Sequence, residues 1–317
     1  MPKYSIITPV FNRPDEIKEL LESLAKQTFK DFEVLIIEDG STEKCEEICQ
    51  EFAQKLNINY FFKPNSGQGF SRNYGFEHAK GEYFVQLDSD AIIPENYFEI
   101  VDNSLIINYL DAYGGPDAAN ENFTDIQKAV NYAMTSVFTT GGIRGSKKNL
   151  GGQFHPRSFN FGLSRKVWEK VGGYKITRMG EDIEFSIRII KAGFKVGLIS
   201  EAFIYHKRRT NFLQFFKQLH FFGRARINIS RFYPSELKLV HYFPILFTLG
   251  VLSVPFQYFI YKPLFIFSIC VLLLYILLIF VDSSMKNKSI KIGFLSIFAC
   301  FSQLFGYGVG FVTEKIK

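Results

Sequence analysis

Gly81-Glu-Tyr-Phe-Val-Gln-Leu-Asp-Ser-Asp90 decides how this chain is read. Tyr83 to Leu87 has the makings of a short buried strand, apolar except for Gln86 and entered from a glycine. It runs out onto two carboxylates, Asp88 and Asp90, with one serine between them. In extended chain, residues two apart point to the same side. Two acids so placed repel unless a cation lies between them, and a hard divalent ion, Mg²⁺ or Mn²⁺, suits such oxygen ligands. Ligands of open α/β sheets bind at the carboxyl ends of the strands. The competing reading is a helix cap.

Upstream, the same grammar repeats. Tyr4-Ser-Ile-Ile-Thr-Pro-Val10 is a β-rich run stopped by Pro9 and by Asn12-Arg-Pro14. Asn12 is placed to cap a helix starting near Pro14, whose Ile17, Leu20, Leu21 and Leu24 share one face. Phe32 to Ile37 forms the next strand and ends in Glu38-Asp39-Gly40-Ser41. A helix from about Glu43 to Leu56, a strand from Ile58 to Phe62 and a helix from Phe70 to Ala79 follow. This β-α-β-α-β-α-β alternation predicts a mostly parallel sheet flanked by helices. Two strand ends carry acids, and parallel strands bring such ends to one edge. Gly67 and Gly69 imitate the start of a dinucleotide fingerprint, but Arg72 stands where the third glycine belongs. A dinucleotide site is therefore rejected, and a glycine turn followed by arginine suits a diphosphate instead.

With 317 residues, the chain has room for one large domain and an appendage. Its 37 Lys and Arg against 31 Asp and Glu leave +6, too mild a surplus to imply nucleic acid. Cys45, Cys49, Cys270 and Cys300 outline neither a disulfide framework nor a zinc site, which points to a reducing compartment. Met1 leads directly into a strand, so no cleavable leader is expected.

Four segments occur in order: Ser5-Ile-Ile-Thr-Pro-Val-Phe-Asn12, Val34-Leu-Ile-Ile-Glu-Asp-Gly-Ser41, Gly69-Phe-Ser-Arg-Asn-Tyr-Gly75 and Leu87-Asp-Ser-Asp90. Together they resemble family 2 glycosyltransferases of the GT-A fold, of the membrane-anchored, cell-envelope polysaccharide type, over roughly residues 3 to 230. The resemblance implies a nucleotide-diphospho-sugar donor, a UDP-sugar above all, and a Mn²⁺ or Mg²⁺ cofactor. It implies that Thr8 and Pro9 line the nucleotide pocket, with Glu38 beside them, and that Asp39 bonds the base. Arg72 would serve the base or diphosphate. Asp88 would lie by the ribose and metal, and Asp90 would hold the metal. The family more often has Asp-Asp-Gly-Ser where this chain has Glu38-Asp39-Gly-Ser.

Residues 111 to 157 are Gly-rich and read as an irregular acceptor-side connection, in which Lys147, Lys148 and Arg157 are candidate phosphate neighbours. Trp168, the single tryptophan, reads as core. Glu181 and Asp182 open a helix with Ile183, Ile187 and Ile190 inward, a placement the helix dipole favours by itself. The resemblance adds that this is the Glu-Asp motif of inverting enzymes, with Asp182 the general base and Glu181 its companion. It also makes His206, after Ala202-Phe-Ile-Tyr, a further metal ligand.

Residues 207–238 are basic, with Glu236 their one acid, and Phe212, Phe215, Phe216, Leu219 and Phe222 share a face. That pattern suits an interfacial helix on an anionic membrane, or a helix packed on the protein. Beyond lie apolar runs at about 241–261, 263–281 and 292–312, each near the ~20 residues that span a bilayer. Gln303 and the glycines at 306, 308 and 310 weaken the third run, which reads alternatively as interfacial or re-entrant. Gly306 and Gly310 also form a helix-packing motif. Lys286, Lys288 and Lys291 place the second loop in the cytoplasm.

The expected organisation is a catalytic domain over 1–206, an interfacial segment over 207–238 and a membrane domain over 239–317 with two or three spans. The expected activity is transfer of one sugar to a lipid-linked or glycan acceptor at the cytoplasmic face of the plasma membrane, beside other envelope-polysaccharide enzymes. A processive synthase is disfavoured, because such enzymes show Gln-x-x-Arg-Trp after the Glu-Asp motif and Trp168 lies before it. An inactive sugar-nucleotide-binding subunit is the non-enzymatic alternative.

Overall fold

The computed structural model describes residues 1–118, 123–140 and 154–317, apart from the side chain of His206. The chain divides into two units, Met1–Asn120 with Lys147–Lys207, and Glu121–Ser146 with Arg208–Lys317.

The first unit begins β1 (Tyr4–Val10), α1 (Pro14–Ala25), β2 (Phe32–Asp39), α2 (Glu46–Phe52), β3 (Ile58–Lys63), α3 (Gln68–His78) and β4 (Tyr83–Leu87). It continues through β5 (Ala91–Ile92), α4 (Tyr97–Ile107), β6 (Ala112–Gly114) and β7 (Asp117–Ala118). The chain then enters the second unit for α5 (Asp125–Thr135) and α6 (Val137–Thr140). It returns as β8 (Asn160–Ser164), α7 (Arg165–Val171), α8 (Glu181–Lys191), β9 (Val196–Leu198) and β10 (Ile204–His206). The second unit closes with α9 (Phe212–Phe232), α10 (Phe243–Ile260), α11 (Lys262–Asn287) and α12 (Ile290–Ile316).

Seven strands form one sheet in the order β3-β2-β1-β4-β8-β6-β9. The four strands anticipated from the alternating pattern run parallel, and β8 lies antiparallel to both β4 and β6. The chain builds outward from β1 to β2 to β3, then crosses back to lay β4 on the other side of β1. The loops leaving β1 and β4 therefore diverge and leave a crevice at their carboxyl ends, the topological switch point where such sheets bind ligands.

Strand alternation divides the core between the two faces. Ile6, Val34, Ile36 and Val85 join Leu20 and Leu24 in one buried cluster, while Ile7, Leu35, Ile37 and Phe84 join Phe76 and Phe185 in another. Trp168 packs against the second cluster, edge-on to Phe84 at 5.7 Å between ring centres, as core. A smaller sheet pairs β10 with β5 and β7, with His206 in register with Ala91, next to Asp90.

Two local expectations change. Asn12 does not cap α1, whose N-cap is Arg13. Asn12 instead adopts φ +52° and accepts from the amides of Thr42 and Glu43 at 2.8 and 3.0 Å. The stretch read as an irregular connection contains α5, started by a capping box between Thr124 and Gln127. Its Ala129, Val130 and Ala133 are buried with Phe215, Leu219, Ala299 and Cys300, so α5 belongs to the second unit.

In the second unit, Leu239–Ile260, Lys262–Asn287 and Ile290–Ile316 are long and apolar enough to cross a membrane. The third run is one uninterrupted helix despite the glycines at 306, 308 and 310. Gly306 and Gly310 let α9 come close: a Cβ on Gly306 would lie 2.8 Å from the Phe216 carbonyl, and one on Gly310 would strike that of His220. Arg224 and Arg231 of α9 both bind the buried Glu314 of α12, at 2.9 and 3.0 Å.

Candidate active site

The last two residues of β2 point to opposite faces, as strand geometry requires. Glu38 turns into the protein and serves the turn into α2: it accepts from the Ser41 hydroxyl, and from the Cys45 amide and thiol at 2.9 and 3.0 Å. Asp39 turns the other way. Its Oδ1 accepts from Lys63 Nζ and from the Ser66 amide at 2.8 Å, and its Oδ2 from the Gly67 amide at 2.8 Å. Lys63 is its register partner across the β2–β3 ladder. Burial opposes the charge of Asp39, but Lys63, the Ser66 amide and Ser71 outweigh it and hold the carboxyl below its ordinary range.

Asp39 thereby organises the turn that enters α3. Gly67 there has φ +87°, which favours glycine. The turn also grips the chain leading to α8: the Gly69 amide donates to the Thr177 carbonyl at 3.3 Å, and Thr177 Oγ1 to that of Ser66 at 3.0 Å. Gln68 reaches further and donates from its amide nitrogen to Glu181 at the start of α8.

Arg72, on α3, is 1% exposed. Its Nη2 donates to Asp88 Oδ1 at 2.7 Å, while Nε and Nη1 have no hydrogen-bond partner among the described residues. Burial opposes its charge, but Asp88, then Tyr174, Glu181 and Asp182, favour it and keep it protonated. Asp90 is paired with Arg13 Nη1 at 3.1 Å. Thr8 is buried in β1, its hydroxyl also without a partner among the described residues, and Pro9 follows it in register with Ile37.

Asp182 accepts its neighbour Ile183's amide at 2.8 Å on Oδ1, and Arg157 Nη1 stands 3.6 Å from its Oδ2. Beside it, Glu181 is pushed from its ordinary 4.5 up to about 7, first by burial and then by the charge of Asp182. A carboxyl raised in this way binds more protons folded than unfolded across that interval, so stability falls as pH rises through it. Denaturant unfolding from pH 5 to pH 8 is therefore expected to show that decline, and Glu181→Gln to flatten it. Equal slopes in the two proteins would remove this assignment.

The comparisons with known proteins bear on this crevice. The sequence model of Glycosyl transferase family 2 matches residues 5–172, more than half of the 317 residues. The chain belongs to glycosyl transferase family 2. The minor teichoic acid biosynthesis protein GgaB of Bacillus subtilis (strain 168) is 29% identical over 226 residues, which are 65% of this chain and 23% of GgaB. Glycosyltransferase GlyA of Streptococcus pneumoniae serotype 4 is 33% identical over 122 residues, 38% of this chain and 18% of GlyA. The chain thus spans a quarter or less of either relative. Among solved structures, the mannosyltransferase PcManGT from Pyrobaculum calidifontis, in complex with GDP-Man and Mn²⁺, aligns with a TM-score of 0.66 at 15% identity, covering 96% of this chain and 87% of that one. Residues 1-349 of S. aureus TarS, in complex with UDP, align at 0.51 and 21%, covering 71% and 66%. At such identities the likeness shows the GT-A fold alone.

In this family member, Asp39, Arg72, Asp88, Glu181 and Asp182 fall into one connected set of hydrogen bonds and fields, and Glu38 stands outside it. Asp88 and Asp90 offer two carboxylates, and no group of three His, Cys, Asp or Glu forms a metal cluster among the described residues. Two carboxylates plus substrate phosphate oxygens make an ordinary Mg²⁺ or Mn²⁺ shell, so the pair fits an ion bound together with a diphosphate. The side chain of His206, and Lys147 and Lys148, lie outside what the structure describes. Arg157 stands beside Asp182 rather than beside the Asp88-Asp90 pair. Sequence reasoning missed Lys63, Arg13 and Gln68, for which spacing carries no signal.

Proposed function

We propose that the chain transfers a sugar from a nucleotide-diphosphate donor of UDP type to a lipid-linked or polysaccharide acceptor, with inversion and with Mn²⁺ or Mg²⁺. The observation that carries this reading is Arg72: bonded to Asp88 and favoured by the charges of Glu181 and Asp182, it ties the donor acids to the Glu-Asp pair. The UDP and GDP-Man of the solved neighbours are consistent with a nucleotide-sugar donor.

In this reading Asp39 and its turn receive the base, with Thr8 and Pro9 alongside, and Arg72 faces the diphosphate with its unpartnered nitrogens. An acceptor hydroxyl is a poor nucleophile, so Asp182 takes its proton as the oxygen bonds to the anomeric carbon. The bond from that carbon to the phosphate oxygen breaks on the opposite side, and its electron pair leaves with the diphosphate. Glu181 and Gln68 hold the start of α8 in place. Asp88 and Asp90, with His206 implied by the resemblance, would hold the cation, which supplies charge compensation for the leaving diphosphate.

The apolar helices hold the protein in the plasma membrane as a multi-pass protein, with the catalytic unit toward the cytoplasm, where nucleotide sugars are made. The acceptor, and partner enzymes of envelope polysaccharide synthesis, would meet it there. A panel of UDP-, GDP- and dTDP-sugars tests the proposal through release of the nucleoside diphosphate. UDP-sugars are expected to turn over with Mn²⁺ or Mg²⁺ and to stop on chelation. No release from any donor would leave the binding-subunit reading in its place. Asp90→Ala should lose metal-dependent donor binding, and unchanged affinity would remove the metal role.

A further inference from the structure

α12 is as long and apolar as a membrane span, yet its contacts run along α9 and not along the α10–α11 hairpin as a third span's would. We propose that α12 lies in the membrane surface beside α9 and that only the α10–α11 hairpin crosses the bilayer. The inference rests on the membrane anchoring proposed above.

The first observation is the depth that α9 and α12 share. Phe212 meets Phe298 at 6.2 Å between ring centres, Gly306 meets Phe216, Gly310 meets His220, and Arg231 binds Glu314. The two sets of numbers rise together, so the helices run parallel and side by side. From residue 298 to 314 this covers on the order of 25 Å at ~1.5 Å per residue. A spanning α12 would carry α9 through the hydrocarbon with it, and α9 bears Lys217, Arg224 and Arg231. Each costs about 2.5–3.5 kcal/mol at mid-bilayer, and Arg224 and Arg231 share one acid, Glu314. At the surface their heads reach water at no such cost.

The second observation is how α12 meets the hairpin. Phe301 and Phe305 pack on Phe247 at 5.5 and 5.9 Å, and Phe311 packs on Tyr242 at 5.3 Å. A Cβ on Gly308 would lie 2.7 Å from the Pro244 carbonyl. From Phe301 to Phe311, α12 advances roughly 15 Å, while its partners stay between Tyr242 and Thr248. It therefore crosses the foot of α10 instead of following it. On α11, the ring, hydroxyl and glycine contacts reach only from Tyr275 to Ser284. Beyond that foot the hairpin closes on itself, with Tyr258 and Phe265 5.4 Å apart, while Phe256 and Phe267 are 68% and 66% exposed.

The third observation is the outer face of α12. Phe294, Phe298, Val309, Val312 and Ile316 are all exposed and, at 3.6 residues per turn, form one stripe. The opposite face is buried against α9, α5 and the foot of the hairpin. A helix half buried in protein, with one apolar stripe left over, fits the acyl boundary of a lipid surface.

Sidedness tests this directly. In a Cys270→Ala background, single cysteines are introduced as Lys286→Cys, Tyr261→Cys and Lys317→Cys and treated with a membrane-impermeant maleimide in sealed vesicles, before and after permeabilisation. Lys317→Cys is expected to react on the face where Lys286→Cys reacts, and Tyr261→Cys on the other. If Lys317→Cys shares the face of Tyr261→Cys, α12 spans and the proposal fails. If all three react on one face, no hairpin crosses and the anchoring reading itself fails. Lys315→Cys, one residue from the end of α12, gives the same readout should Lys317→Cys prove unreactive.

Discussion

Asp182→Asn is expected to lower sugar transfer by about 10²- to 10⁴-fold, the range a positioned general base contributes. Nucleotide affinity should change far less than turnover, because Asp182 acts on Arg72 through its charge alone, behind Asp88, which holds the Arg72 guanidinium at 2.7 Å. The substitution suits the question structurally. Asn keeps the oxygen that accepts the Ile183 amide at 2.8 Å, so the start of α8 is preserved. What disappears is the basicity of the second oxygen, 3.6 Å from Arg157. The loss should therefore fall on kcat and far less on donor binding, read by titration with the nucleoside diphosphate. Full transfer activity in this variant would remove Asp182 from the role of base.

The second large effect belongs to Arg72→Met, which should weaken donor binding by roughly 30-fold or more, the scale of removing a desolvated charge contact worth ~2–5 kcal/mol. Methionine is long and apolar enough to fill the space of a side chain 1% exposed. Asp88, left without its 2.7 Å partner, is 31% exposed and can be hydrated, so the first unit should still fold. Thermal unfolding provides the control, and isothermal titration with UDP provides the readout. Affinity within twofold of the parent would show that Arg72 serves the fold and not the diphosphate.

Both predictions concern residues legible in the chain itself, and the reason is local. Apolar residues alternating on strands and recurring along helices mark the elements, and acids just past strand ends mark the edge where parallel strands finish. Asp39, Asp88 and Asp90 stand out by position alone, and Arg72 by replacing a glycine. Glu38 shows the limit of that reasoning. It sits beside Asp39 in the sequence, yet strand alternation sends it to the opposite face, where it holds the Ser41 hydroxyl and the Cys45 amide. α5 was hidden for a different reason. Its Thr124-Gln127 capping box is a clear local signal, but the surrounding glycines outweigh it, and its apolar face is buried in one cluster with residues of α9, α11 and α12, far along the chain.

By itself, then, the sequence determined the parallel sheet, the acids at its edge, the family and three apolar runs, because each is written in spacings shorter than a single element. Tertiary structure alone decided the partners. Lys63 meets Asp39 through the β2–β3 register, Arg13 meets Asp90 because β1 and β4 are neighbours, and Gln68 meets Glu181 across 113 positions of chain. It also decided the orientation of α12 against its hairpin, which length and apolarity leave open. Such pairings depend on register, strand order and crossing angle, and those follow from how whole elements pack.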